Sequence, residues 1–147
     1  MTASNFVLLD IAKPKIINQT VKLSSDTISL AFIDNSVSLS NAYVGASTNA
    51  QWSDVSAHEV TGTGYTAGGA NTTVTVAQTA GTCTISSTGL SLSNATVSAV
   101  VVVAYDRTAA NKDIVGYCYL DPAGGFASVS STAGTFSATF SSGLFTF

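Results

Sequence analysis

Charge is what this sequence has least of. Only 9% of its 147 residues are Asp, Glu, Lys or Arg, against about 25% in an ordinary soluble domain. Low charge combined with 46% hydrophobic residues reverses the composition of disordered chains and excludes that class. Glu59 is the single glutamate, and with so few strong surface helix formers a long helical bundle is excluded too. Five basic against eight acidic residues leave a net charge of −3 and no basic stretch, so phosphate neutralisation by a nucleic-acid binder has no footprint. The longest apolar run, Ala99 to Ala104, is far below the roughly 20 residues that cross a bilayer. Met1 to Asn5 lacks a basic n-region and Phe6 to Leu9 is too short for an h-region, so neither a membrane span nor a secretion signal is expected. Cysteine is scarce as well. Cys83 and Cys118 stand at no metal-ligand spacing, in β-like apolar contexts; buried reduced thiols are the expectation, with a disulfide as the alternative.

What fills the gap is hydroxyl. There are 21 serines and 20 threonines, and they alternate with apolar residues. In Asp26 to Ile33, the residues Ile28, Leu30 and Phe32 share one side, while Thr27, Ser29 and Ala31 share the other. The same period of two runs through Val37–Ser40, Thr73–Val76, Thr82–Ile85, Leu90–Ser93 and Thr135–Phe140. One wet face and one dry face per strand is the pattern of antiparallel sheets stacked face to face. Val97 to Tyr105 and Ile114 to Leu120 are apolar on both faces and read as central, doubly covered strands. Gly, Asn and Ser separate the runs, as turns require. The predicted fold is all-β: an antiparallel β-sandwich, jelly-roll-like, with one short helical turn and an extended N-terminal arm. The length is that of one domain, so residues 1–15 are expected as the extended arm and 16–147 as a single β-sandwich domain. Pro14 favours an arm or edge strand over core before it. The helical turn is placed at Trp52 to Val60, where Ser56 and Glu59 have capping-box spacing.

Candidate chemistry is thin. Asp54, His58 and Glu59 could share a metal or form an acid–base set, but His58 is the only histidine. Glu59 is better explained as the capping partner of Ser56, and Asp54 as a favourable first-turn charge. No G-x-S-x-G elbow is present. The glycine-rich run Gly62 to Gly69 leads into a strand rather than a helix, so it reads as a tight loop anchored by Tyr65, not a phosphate cradle. Asp106, Asp113 and Asp121 lie near strand ends but not at the spacing of a calcium loop. Thr73/Thr75 and Thr82/Thr84 read as wet strand faces. No catalytic residue, no cofactor and no metal site is therefore assigned, and the chain is not expected to be an enzyme.

The segment Ser53 to Gly69 (SDVSAHEVTGTGYTAGG) resembles a block found in small structural proteins of tailed bacteriophages. Ser25 to Phe32, Ala104-Tyr105-Asp106, Ile114-Val115-Gly116-Tyr117, Gly134 to Phe140 and Gly143 to Phe145 are similar to flanking patterns in that family, so the resemblance runs from about Lys22 onward and leaves Met1 to Lys15 outside it. It implies a virion component with a β-sandwich fold, no cofactor and no catalysis. A capsid decoration or cement protein is the first expectation and a neck or tail protein the second. The implied partners are the major capsid protein or other virion proteins, and a second copy of the chain in a homo-oligomer, with a trimer favoured. Assembly would take place in the host bacterial cytoplasm. Phe6, Val7, Leu8, Leu9 and Ile11 make the arm apolar, and with Trp52 and Tyr65 they are the candidate assembly contacts. The alternative of another class is a carbohydrate-binding module stacking sugars on Tyr43, Trp52 or Tyr65.

Overall fold

Val101–Asp106 and Ile114–Tyr119, the greater part of the two runs apolar on both faces, form the centre of the main sheet. Val97 to Ala99 belong instead to a separate strand pair, in which Ser98 is exposed. The computed structural model describes residues 6–34, 50–121, 127–140 and 144–146. In chain order the elements are β1 (Val7–Leu8), α1 (Ala12–Ile17), β2 (Ile28–Ile33), β3 (Ala70–Thr72), β4 (Val74–Thr79), β5 (Thr82–Ser87), β6 (Leu90–Ala99), β7 (Val101–Asp106), β8 (Ile114–Tyr119), β9 (Val129–Ala138) and β10 (Phe145–Thr146). Two 3-10 turns, Trp52–Asp54 and Ser56–His58, precede β3. All strand pairs are antiparallel. The chain is thus mainly β with one short helix. The strand expected at Val37–Ser40 and the residue Tyr43 lie outside the described residues.

A five-stranded sheet has the order β1-β8-β7-β2-β3, with smaller sheets β10-β5-β4 and β6-β9 beside it. The chain passes between sheets at single residues: Thr73 separates β3 from β4, and Val100 separates β6 from β7. Val100 is fixed by two main-chain bonds. Its N–H donates to the Ile33 carbonyl and its carbonyl accepts from Leu120 N–H, each at 2.9 Å.

Antiparallel sheets commonly leave one face to water. This one does not. Ile28, Leu30, Phe32, Val102 and Val115 pack into one cluster with Ile85, Leu90, Val97, Phe136 and Phe145. Ala31, Ile33, Val101, Val103 and Tyr105 pack into a second with Leu9, Ala12, Trp52 and Val55. Phe32 and Phe136 meet edge to face at 4.9 Å, an aromatic pair worth about 0.5–1.5 kcal/mol beyond its buried area. The wet face expected for β2 is therefore absent. Ser29 and Ala31 are fully buried, and Ala31 packs in one cluster with Leu9, Trp52 and Val55, which arrive from distant parts of the chain. The Ser29 hydroxyl meets its bonding requirement by donating to Asn71 Oδ1 at 2.8 Å.

The N-terminal segment also departs from expectation. Val7 and Leu8 pair with Tyr117 and Gly116 at the edge of the main sheet, Phe6 and Leu9 are buried, and the chain then turns into α1 instead of remaining extended. Pro14, expected to favour an arm or edge strand before it, occupies the first turn of α1. There a missing N–H removes no intrahelical bond. The helix is pinned by Lys15, whose Nζ lies 2.6 Å from Asp113 Oδ1 with both side chains largely buried. Asp10 and Lys13 form a second pair at the same distance on the surface.

These two ion pairs give a direct contrast. Lys15→Met leaves the Asp113 carboxylate buried without its cation and is expected to cost about 3–5 kcal/mol. Lys13→Met, at the exposed pair, is expected to cost less than about 1 kcal/mol. Urea unfolding of the two variants against the parent chain measures both.

Candidate assembly surface

The charged residues are segregated. No Asp, Glu, Lys or Arg occurs between Glu59 and Asp106, or after Asp121. β3, β4, β5, β6, β9 and β10 are accordingly free of charge, and so are the turns joining β4 to β5 and β5 to β6. The charges sit around α1, before and after β2, at the 3-10 turns and at the ends of β7 and β8. The uncharged run is plain in the sequence; that β3 edges the main sheet while β5, β6, β9 and β10 pack against one of its faces is not.

The outer surface of these strands is made of hydroxyls. On β6, Ser91, Ser93, Thr96 and Ser98 are exposed, alternating in part with the buried Ala95, Val97 and Ala99. On β9, Ser130, Thr132 and Thr135 are exposed. Ser98 faces Ser130 across the pair, their hydroxyls 2.8 Å apart, and Thr96 Oγ1 accepts from Ala133 N–H at 3.0 Å. The β4–β5 hairpin stands further out. Thr75 to Thr79 and Thr82 are all exposed, and Val76 keeps 51% of its surface in water. Each hydroxyl both donates and accepts, so such a face can dock with partners without desolvating an ion.

The block Ser53 to Gly69 is a structural lock. Glu59 Oε1 accepts from the Tyr65 hydroxyl and from Gly68 N–H, each at 2.6 Å. The Tyr65 oxygen in turn accepts from Phe32 N–H at 3.1 Å, and the Tyr105 hydroxyl donates to the Gly68 carbonyl at 2.7 Å. The loop is thereby tied to β2 and β7. Two of its glycines are obligatory: a Cβ on Gly69 would overlap the Leu30 carbonyl, and one on Gly62 the Thr96 carbonyl. Burial and the Glu59 bond together push the Tyr65 hydroxyl far above the usual phenol range. Glu59 is therefore not the capping partner of Ser56. The box lies one turn earlier, where Gln51 and Asp54 exchange side-chain and backbone bonds. A glutamate three residues after a serine matched the spacing, but Tyr65 and Gly68 supply the stronger set of donors.

The remaining sequence candidates fall in separate places. Trp52 is only 8% exposed and stacks on Tyr105 with ring centroids 4.5 Å apart and planes 13° apart. Tyr65 is half-buried, its hydroxyl spent on Glu59. Of the apolar arm, Val7 is exposed, Leu8 and Ile11 are half-buried, and Phe6 and Leu9 are inside. Cys118 is buried and its thiol pushed up to about 12 by desolvation, while Cys83 is half-buried; both are free. Asp113 is committed to Lys15. Asp106 Oδ1 accepts from Thr108 and Ala109 N–H at 2.8 and 3.2 Å. Among the described residues no group of three or more His, Cys, Asp or Glu side chains converges as a metal site, and no helix is long and apolar enough to cross a membrane.

Compared with known proteins, the chain matches no family model, no curated protein and no solved structure. Its geometry carries the reading.

Two measurements check this geometry. Glu59→Ala removes two bonds to a charged acceptor and is expected to cost about 2–3 kcal/mol in urea unfolding, with Glu59→Gln costing less because an acceptor oxygen stays. Asp106 gives a pH effect. Burial raises its carboxyl above the ordinary value, two backbone N–H bonds lower it, and the Asp26 carboxylate raises it again. The folded chain thus keeps this proton to higher pH than the unfolded chain. Stability from this group is greatest below the ordinary carboxylate value, falls as pH rises toward the raised folded value, and levels off above it. Asp106→Asn keeps an acceptor for Thr108 and Ala109, so it is expected to be more stable than the parent at neutral pH and to lose that slope.

Proposed function

We propose that this chain is a non-enzymatic structural protein of a tailed-bacteriophage virion. In this reading it is a jelly-roll-like β-sandwich that binds the phage head as a homo-oligomer and serves as a capsid decoration, or cement, protein. The observation that carries the reading is the set of charge-free strands β4 to β6 and β9, exposed through Ser and Thr. A protein bound to a repeating lattice gains avidity from many weak contacts. Contacts made of hydroxyls and main chain are insensitive to the salt that screens exposed ion pairs. A surface so poor in charge favours association over solubility, which suits a component that spends its life covered by neighbours.

The similarity of Ser53 to Gly69 to structural proteins of tailed phages supports the same reading. In this fold that block ties a loop to the core through Glu59, a stabilising role with no need of catalysis. Free Cys83 and Cys118 agree with assembly in a reducing bacterial cytoplasm. The partners are the major capsid protein or other virion proteins. A sugar-stacking module fits less well, because the Trp52 ring is covered by Tyr105 and the Tyr65 hydroxyl is already bonded.

Quantitative mass spectrometry of purified particles tests the assignment. A copy number on the scale of the major capsid protein is expected, and retention of the chain in about 1 M NaCl. A copy number on the order of a dozen or fewer moves the protein to a neck or tail ring. Absence from particles overturns the virion reading, and a micromolar calorimetric isotherm with glycans would replace it with the carbohydrate one.

A further inference from the structure

We infer that two copies of this chain join through the free edge of β4, antiparallel and about a two-fold axis at Val76. β4 is the outer strand of its sheet, paired only with β5 among the described residues. Exposed edges are normally guarded by shortness, by Lys or Pro, or by bulges. The other edges here carry such guards. β1 has two residues and β3 three; β6 is bridged at Thr96 by Thr63, and the β6–β9 ladder is broken by register shifts around Ala95. β4 has six residues in regular register, with no charge, no proline and no bulge.

The hairpin geometry says which groups are free. Ala80 and Gly81 both have positive φ, 49° and 86°, as a two-residue type I′ turn requires. Such a turn closes on Thr79 and Thr82 as a hydrogen-bonded pair, so alternation aims the N–H and C=O of Thr75, Ala77 and Thr79 at β5. Those of Val74, Val76 and Gln78 point away from it. These three alternate groups can pair with the same three groups of a second copy. Val76 then faces its own counterpart and Val74 faces Gln78.

The occupant is a second copy because the edge is complementary to itself. An uncharged strand brings no like charges face to face, and Val76, half in water despite its apolar side chain, is covered at the axis. On its inner side Val76 also walls a groove of about 430 Å³ with Ile16, Val21, Leu23, Cys83 and Ile85. An isologous pair closes at two copies, so this contact makes a dimer in place of the trimer expected from the resemblance.

The inference deepens the homo-oligomer part of the proposed function, but its test needs no virus. Sedimentation velocity of the purified chain over a wide dilution series is expected to give a reversible monomer–dimer equilibrium. Val76→Lys and Val76→Glu each place like charges on the axis and are expected to weaken dimerisation at least about tenfold, or about 1.4 kcal/mol. Mixing the two variants is expected to restore a dimer. Val76→Pro, which removes only an outward N–H, is expected to be monomeric with an unchanged circular dichroism spectrum. A parent chain that stays monomeric or forms a trimer, or a Lys/Glu mixture that fails to dimerise, overturns the inference. Absence from particles with a dimer in solution would instead leave β4 pairing standing and remove the virion reading.

Discussion

The constraint on which the rest of this structure depends is that the sheet centred on β7 must be covered on both faces. Val101 to Tyr105 and Ile114 to Cys118 offer apolar side chains in both directions, and exposing either set would forfeit roughly 25 cal/mol for each Å² left in water. Two different structures supply the covers. Strands β5, β6, β9 and β10 contribute to one side; Leu9, Ala12 and the turn bearing Trp52 and Val55 contribute to the other. The single-residue corners at Thr73 and Val100 follow from this, since the same chain must leave one sheet and enter the next without a loop.

The two covers differ in chemistry. The helix-and-turn side is irregular, and irregular backbone leaves more polar groups to satisfy. Lys15 on Asp113 and Asp54 on Gln51 serve there, while Glu59, bound to Tyr65 and Gly68, ties down a loop whose tyrosine packs against the strand-side cluster. The strand side satisfies its backbone in ladders and needs no charge for that purpose. Its outward residues are Ser and Thr, which suit strand geometry through β-branching in Thr and leave a neutral exterior. Low charge over the whole chain is therefore uneven: all 13 charged residues lie within 1–59 and 106–121, and the other half of the sequence carries none.

Periodicity revealed strands wherever the ladder is regular. Thr73–Val76, Thr82–Ile85, Leu90–Ser93 and Thr135–Phe140 all fall in strands or at their ends. It failed at β2, where Ser29 and Ala31 look like a wet face and are buried. It was silent at α1, whose six residues are too few to show a helical period. Of the lock around Glu59, the glycines and Tyr65 were legible as an anchored loop. The carboxylate's partners were not, because a capping spacing and a tertiary bond to Tyr65 leave the same mark on the sequence.

In the sequence alone, residue type and a period of two are enough to show short strands, a central place for Val101–Tyr105 and Ile114–Tyr119, and the absence of charge between Glu59 and Asp106. These are local properties. Only the tertiary structure decided that β2 has no wet face, that Phe6 and Leu9 are core, that the chain changes sheet at Val100, and that β4, among the described residues, pairs with β5 alone. The reason is physical: a side chain's direction is set by its own backbone, but what covers it is set by segments tens of residues away.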